Sequence, residues 1–193
     1  MTRTSLRHVD VSRGFTILEL IIVIVIVGLT MGIVAPRFRL SGATAVQLAG
    51  TQLAQDIDVT RTRALTTRQK SRVSFRSSAK TYGGYLDHDD DGTIGEIAIE
   101  WQDLRGFGER SLPAGVSFGR GGAPTLPDDA SGGDITFADS RVEFDSRGLT
   151  IPQGNGGVVY LRSDKEPGAA VAIQVAPSGN VRFWTWKSGE GWK

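Results

Sequence analysis

Residues 14–35 read GFTILELIIVIVIVGLTMGIVA, an apolar run that carries a single carboxylate, Glu19, near its start. As a helix rising 1.5 Å per residue, residues 15–35 extend roughly 32 Å, enough to cross a bilayer core of roughly 30 Å. An ionised carboxylate inside lipid is costly, so Glu19 is expected to have both a partner and a function. The stretch therefore predicts an apolar helix whose single charged side chain has a functional role.

The flanks of this run leave three interpretations open. Basic residues stand on both sides of it, so they favour a cytoplasmic N-terminus only in part: Arg3, Arg7, Arg13, Arg37 and Arg39. A secretory signal peptide would be cut near Ala43-Thr44-Ala45, well beyond the run. A plain uncleaved anchor is the second interpretation, and neither of these explains Glu19. The third is a segment that is cut after Gly14.

The third interpretation rests on Arg13-Gly14-Phe15-Thr16-Ile17-Leu18-Glu19-Leu20, which resembles the processing site of the type IV pilin superfamily. The resemblance implies that a prepilin peptidase cuts between Gly14 and Phe15, and that Phe15 becomes N-methylated. It also implies that Glu19, the fifth mature residue, directs assembly. The new ammonium of Phe15 would neutralise Glu19 of a neighbouring subunit, and a buried pair of this kind specifies register more than stability.

The remaining sequence predicts a helix and then a β domain. Apolar residues recur at helical spacing from about residue 44 to 68, which indicates an amphipathic helix, and Pro36 is expected to interrupt the helix before it. After Lys70 the chain changes to short β-rich runs separated by turn residues: 72–75, 81–86, 94–101, 135–137, 141–144, 158–161, 171–175 and 181–186. Residues 119–134, rich in Gly, Pro and Asp, are predicted to form a flexible loop.

The predicted fold class is α+β. A long N-terminal α-helix, with a transmembrane half and an amphipathic half, packs on a C-terminal antiparallel β-sheet or sandwich domain. The predicted divisions are a leader at 1–14, a transmembrane and assembly helix at 15–35, an amphipathic stalk helix at 36–70 and a periplasmic β domain at 71–193.

Segments of the β domain and the stalk resemble the GspH/FimT family: 53–57, 61–64, 73–75, 142–148 and 175–181. The resemblance implies a pilin fold without enzymatic activity. It implies a minor pseudopilin at or near the tip of the periplasmic pseudopilus that drives protein export in a type II secretion system. The alternative is a FimT-like minor pilin of a type IV pilus, used in adhesion, motility or DNA uptake.

The same resemblance implies partners and a location. The partners are major and minor pseudopilins bound through the N-terminal helices, the prepilin peptidase and the inner-membrane assembly platform, with secreted substrates as a further class. The subunit would cross the bacterial inner membrane once, with its N-terminus in the cytoplasm and its C-terminal domain in the periplasm, before it joins a periplasmic filament.

Composition argues against several classes of protein. The chain has 193 residues, a net charge of +1 and no cysteine, which excludes thiol catalysis, disulfides and Cys-ligated zinc and gives no bulk attraction to nucleic acid. A hydrolytic triad would depend on His88 alone, because the other histidine, His8, lies in the leader. Two rivals stay open: an anchored enzyme, tested by loss of activity in His88→Ala, and a major pilin subunit.

Residues 87–96 resemble the start of an EF-hand calcium loop. Asp87, Asp89 and Asp91 take the first, third and fifth positions, and Gly92 takes the sixth. The twelfth position is an alanine rather than a bidentate glutamate, and Glu96 stands two residues before it. Two interpretations follow: a Ca²⁺ site of Asp87, Asp89, Asp91 and Glu96, or a solvated acidic turn that docks a basic neighbour.

The last predicted strand is a second candidate site. Arg182, Trp184 and Trp186 share one of its faces, and Lys187 follows. If the opposite face is buried, this face contacts a neighbouring pseudopilin, stacks on nucleic-acid bases, or packs within the domain. Asn180 stands where some FimT-type pilins carry the first arginine of a DNA-binding motif, which argues against DNA.

Overall fold

A computed structural model describes residues 15–34, 41–95, 109–129 and 131–193. Predictions that fall on Gly14, on Pro36, on Glu96 or on the end of the 94–101 strand lie outside these residues. The chain divides after Leu40 into two compact units, and each is described by itself.

The first unit contains helix α1, Ile17–Val34. Thr16 caps its start, because its hydroxyl accepts from the Glu19 N–H at 3.2 Å and its carbonyl accepts from the Leu20 N–H at 3.1 Å. Large apolar side chains along the helix are exposed. Within the described stretches, none of the helices combines the length and the apolar character that a membrane crossing requires, so the span predicted for 15–35 is not confirmed.

The second unit begins with helix α2, Gly42–Thr67. Ser41 caps it by accepting from the Thr44 N–H, and Arg68 ends it in the left-handed conformation, with φ 59°. The amphipathic helix predicted over 44–68 is therefore present, and its buried side is formed by Val46, Ala49, Gly50, Leu53, Asp56, Ile57, Thr60 and Ala64.

Among the residues that the structure describes, two five-stranded sheets follow α2, and every strand pair in them is antiparallel. The first sheet has the order β3-β2-β1-β5-β6, with β1 Ser71–Arg76, β2 Thr81–Leu86, β3 Arg110–Ser111, β5 Arg141–Phe144 and β6 Thr150–Ile151. The second has the order β10-β9-β8-β7-β4, with β4 Val116–Phe118, β7 Gly157–Ser163, β8 Ala170–Val175, β9 Val181–Lys187 and β10 Gly191–Trp192.

The longer predicted strands match β1, β2, β5, β7, β8 and β9. The strand predicted at 135–137 is reduced to a single bridge between Ile135 and Val159. The Thr136 hydroxyl accepts from the Val158 N–H at 2.7 Å, so a side chain takes the place of the next backbone bond of the ladder. After this point a 3₁₀ turn, Ala138–Ser140, leads into β5.

The core lies between α2 and the two sheets. Leu53 and Ile57 of α2 are fully buried in the same apolar cluster as residues of both sheets. Between the sheets, the ring of Phe75 meets that of Phe118 edge-on at 6.2 Å. A Cβ at Gly50 would lie 2.6 Å from Val171 Cγ2, so this glycine allows α2 to approach β8 closely. The predicted α+β fold, a helix on antiparallel sheets, is confirmed.

Candidate functional site

The described part of the assembly segment contains two of its three predicted residues. Phe15 is 77% exposed, and Glu19 lies exposed in the first turn of α1. The backbone N–H of Glu19 is capped by Thr16, but its carboxylate makes no ion pair or hydrogen bond within the described residues. The cleavage and assembly roles of Gly14, Phe15 and Glu19 stay predictions.

The acidic turn begins at Asp87, directly after β2. Its backbone is fixed to the residues that follow α2, since the Asp87 N–H donates to the Lys70 carbonyl at 2.9 Å. The Lys70 ammonium donates to the Gly92 carbonyl at 2.8 Å, and the Gln69 amide donates to the His88 carbonyl at 3.2 Å. The short connection between α2 and β1 therefore holds the turn in place.

The structure brings three of the four predicted metal ligands together. One carboxylate oxygen from each of Asp87, Asp89 and Asp91 lies within 4.8 Å of the other two. Asp90, between them, has φ 56°, and Gly92 has φ 84°, a conformation that favours glycine. The fourth predicted ligand, Glu96, lies outside the described residues, and the Ca²⁺ prediction itself is untested.

Asp87 is the buried member of this group, with 1% of its surface exposed. Its Oδ2 accepts from the Gly92 N–H at 3.0 Å, whereas its Oδ1 is buried without a hydrogen-bond partner among the described residues. Burial raises the pKa of Asp87, the Gly92 hydrogen bond opposes this, and the neighbouring carboxylates raise the pKa further. The turn therefore concentrates negative charge around a group that lacks compensation.

The predicted contact residues on the C-terminal strand β9 differ in their exposure to solvent. Arg182 and Lys187 are exposed, while Trp184 and Trp186 are half-buried. The Trp184 indole donates to Gln174 at 3.2 Å and packs on a second apolar cluster on the outer side of the sheet. The partner or nucleic-acid contact predicted for these four residues stays a prediction.

Trp192 of β10 completes the packing on this outer face. Its ring lies 5.4 Å from that of Trp186 and 5.8 Å from that of Tyr160, and its indole donates to the Pro124 carbonyl at 3.1 Å. The loop predicted over 119–134 is thereby anchored to the sheet, and its Leu126 is buried. The indoles of β9 thus serve this anchoring.

The basic groups beside these indoles are partly neutralised. Lys187 Nζ lies 2.6 Å from a Glu190 carboxylate oxygen, and Lys193 pairs with the same carboxylate. Hydrogen bonds and charge from these two lysines lower the pKa of Glu190. Arg182 is the remaining cation of the predicted set on this strand, so the positive charge available to a polyanion is small.

Sequence reasoning missed one buried polar group, Asp56 on α2. It accepts from the Tyr82 hydroxyl at 2.7 Å and from Gln52 at 3.0 Å, and Arg110 Nε lies 3.1 Å from its Oδ2. Burial raises the pKa of Asp56 despite these three partners. The signal available was an acidic residue beside Leu53 and Ile57 on the apolar side of α2. Its partners tie α2 to β2 and β3.

Comparisons with known proteins give a clear result for the fold. No family model and no curated protein matches the sequence. Two structures of the minor pseudopilin EpsH from the type II secretion system of Vibrio cholerae superpose with TM-scores of 0.52 and 0.51. Their identities are 15% and 13%, and the alignments cover 76% and 72% of this chain and 97% and 96% of the EpsH chains. The type IV minor pilin FimU of Pseudomonas aeruginosa gives 0.48 at 9% identity, covering 77% of this chain and 92% of FimU.

A helix packed on antiparallel sheets, as in the two EpsH structures, defines the pilin fold. The chain has this fold in the form seen in the minor pseudopilin EpsH. The pilin fold that the resemblance implied is thus confirmed, whereas the processing motif of residues 13–20 stays a prediction.

Proposed function

We propose that this protein is a minor pseudopilin of a type II secretion system, a structural subunit at or near the tip of the periplasmic pseudopilus. The observation that carries the proposal is the exposed apolar helix α1, with Glu19 in its first turn, on the same chain as a domain with the EpsH fold. EpsH itself is a minor pseudopilin of such a system.

Assembly would proceed through α1. Cleavage after Gly14 creates an α-ammonium at Phe15, four residues before Glu19. The Glu19 carboxylate makes no ion pair among the described residues, so it is available to the Phe15 ammonium of an adjacent subunit. In an apolar filament core, a subunit inserted out of register leaves both charges unpaired, and this penalty selects one axial position.

The location and partners follow from this mechanism. Before assembly the apolar segment would hold the subunit in the inner membrane, with its β domain in the periplasm. The prepilin peptidase and the assembly platform would then act on it there. Other pilin-like subunits would bind along the exposed side chains of α1, where burial of apolar area supplies the driving force.

The first test is the intact mass and N-terminal sequence of the protein isolated from its native membrane. We expect a chain that begins at Phe15 and is one methyl group heavier than the unmodified mature chain. Gly14→Ala should block this processing and leave the leader attached. A wild-type protein that begins at Met1, or near Val46, would overturn the proposal.

The second test separates processing from assembly. The Glu19→Val variant should still be cleaved after Gly14, so its mass should equal the mass calculated for its own processed chain. It should nevertheless be absent from sheared or crosslinked filaments. Asp58→Asn is the matched control, because it removes one exposed carboxylate from α2 and should assemble normally. Equal incorporation of both variants would exclude the register role of Glu19.

The third test assigns the system. Deletion of the gene should abolish export of folded proteins while surface piliation is retained. The opposite phenotype would favour the FimT-like alternative. In that case salt-dependent DNA binding, lost on Arg182→Ala, would be the next measurement.

A further inference from the structure

We propose that Asp87, Asp89 and Asp91 form a calcium site on the turn that follows β2. The three carboxylates converge within 4.8 Å of one another. The inference is independent of the proposed function, because it depends on the β domain and not on α1.

The buried oxygen of Asp87 is the observation that points to a ligand. Among the buried side-chain atoms without a partner in the described residues, Asp87 Oδ1 is the one carboxylate oxygen. A buried polar atom without a hydrogen-bond partner is destabilising, and such atoms are rare in folded proteins. A cation bound by the three carboxylates would supply the missing partner.

Most other buried or half-buried carboxylates of the domain already have a cation. Asp145 pairs with Arg147, Asp164 with Lys80, Glu143 with Arg72 and Asp56 with Arg110. Within the described residues, by contrast, no ion pair involves any of the four aspartates of the turn. The nearby ammonium of Lys70 donates to the Gly92 carbonyl instead. The turn therefore holds four carboxylates that form no ion pair among the described residues.

The chemistry of the donors selects the class of metal. The set consists of carboxylate oxygens, which suit hard divalent cations rather than zinc or copper. Asp87, Asp89, Asp91 and Gly92 also occupy the first, third, fifth and sixth positions of an EF-hand loop, whose flexible oxygen shell favours Ca²⁺ over the smaller Mg²⁺. In that pattern the Thr93 carbonyl takes the seventh position.

The expected affinity is modest. An alanine replaces the bidentate glutamate of the twelfth position, so the dissociation constant for Ca²⁺ should fall in the range of about 10⁻⁴ to 10⁻³ M that extracellular modules show.

The experiment is isothermal titration calorimetry of CaCl₂ into the full chain in detergent micelles, after removal of metal with EDTA. We expect one saturable event, with MgCl₂ binding about tenfold more weakly or not at all. Asp89→Asn should raise the dissociation constant for Ca²⁺ by about tenfold, because it removes one charged ligand. Asp91→Asn should raise this dissociation constant to a similar extent, and the asparagine amide oxygen can still accept from the Thr93 N–H.

Asp90→Asn is the matched control. Asp90 lies in the same turn, is exposed and carries the same charge, but its carboxylate is outside the cluster, and asparagine tolerates its φ of 56°. This variant should bind Ca²⁺ within about twofold of the wild type. Three results would overturn the proposal: no saturable heat with the wild type, equal affinity for Mg²⁺, or equal weakening by Asp90→Asn and Asp89→Asn. Circular dichroism of each variant verifies that it is folded.

Discussion

Two turns of the first sheet begin in the same way and end in opposite electrostatic states. Asp87 follows the last residue of β2, and Asp145 follows the last residue of β5. Both side chains are largely withdrawn from solvent, and each receives a backbone N–H from its own turn. The residues that follow them decide the difference.

The Asp145 turn satisfies its own carboxylate. Its Oδ1 accepts from the backbone N–H groups of Arg147 and Leu149, both at 2.9 Å, and its Oδ2 accepts from the Arg147 guanidinium at 2.9 and 3.0 Å. Burial alone would raise the pKa of Asp145, but these hydrogen bonds outweigh it, so the pKa lies below its ordinary value.

The Asp87 turn has an acidic residue where the other turn has Arg147. Within the described residues, the Asp87 carboxylate accepts a hydrogen bond only from the Gly92 N–H. Burial and the acidic neighbours raise the pKa of this carboxyl. A carboxylate that follows a strand therefore stabilises a turn when a cation is part of that turn. Where the cation is missing, the turn either carries a cost or binds a cation from solution.

The largest effect should come from removing the satisfied carboxylate. Asp145→Ala leaves two backbone N–H groups and a guanidinium without their acceptor, so we expect the free energy of unfolding to fall by about 2–3 kcal/mol. Urea denaturation at pH 7, followed by tryptophan fluorescence, measures this change. Arg147→Ala is the control, and it should cost less than about 1 kcal/mol, because the guanidinium is largely exposed and both N–H donors remain. Equal losses would mean that the backbone donors do not matter.

The same turn should give a defined pH dependence. Because the pKa of Asp145 in the folded protein lies below its ordinary value of 3.8, folding favours the ionised carboxylate. Its stabilisation is fully present above about pH 4 and is lost as the pH falls through the folded pKa. At pH 7 the free energy of unfolding of the wild type should exceed that of Asp145→Asn by about 1 kcal/mol. This difference should vanish at a pH low enough to protonate Asp145 in the folded protein. A difference that is independent of pH would contradict the ionised state of Asp145.

These two turns also show how far the sequence alone could predict the molecule. The spacing of Asp87, Asp89 and Asp91 is local, so their convergence was predictable, but the unpartnered Asp87 oxygen was not. The helix α2 and the longer strands follow from periodicity. The strands β3, β4, β6 and β10 have two or three residues each, too few for an alternating pattern.

The burial of the β9 side chains could not be predicted from the sequence of the strand itself. Alternation correctly separates Trp184 and Trp186 from Phe183, but it predicts nothing about what covers them. Their cover comes from Trp192 and from the loop around Leu126, which lie far apart in sequence. Contacts between distant segments therefore decided whether these indoles are exposed, and the Asp56 network with Tyr82 and Arg110 was hidden for the same reason.

An intermediate effect should come from removing the uncompensated charge. Asp87→Asn keeps the acceptor for the Gly92 N–H but removes the buried charge, so in EDTA it should raise the free energy of unfolding by on the order of 1 kcal/mol at pH 7. Saturating Ca²⁺ should reverse the order, because the wild type keeps all three carboxylate ligands and gains more binding free energy than the variant. Thermal melts of both proteins in EDTA and in CaCl₂ test this crossing. A variant that is less stable than the wild type in EDTA would show that the charge is already compensated.

The smallest effect is expected for Asp89→Arg, which gives the Asp87 turn the arginine that the Asp145 turn has. Asp89 stands two residues after Asp87, as Arg147 stands two residues after Asp145, so the change gives the acidic turn the cation of the other one. In EDTA the new guanidinium should raise the free energy of unfolding by about 0.5 kcal/mol, since it replaces a repulsive neighbour at an exposed position. Added Ca²⁺ should then have no effect on the melting temperature, because one ligand is lost and a positive charge occupies its place. Asp90→Arg is the control: it adds the same charge one residue away and should still respond to Ca²⁺. If both variants respond alike, net charge rather than position distinguishes the two turns.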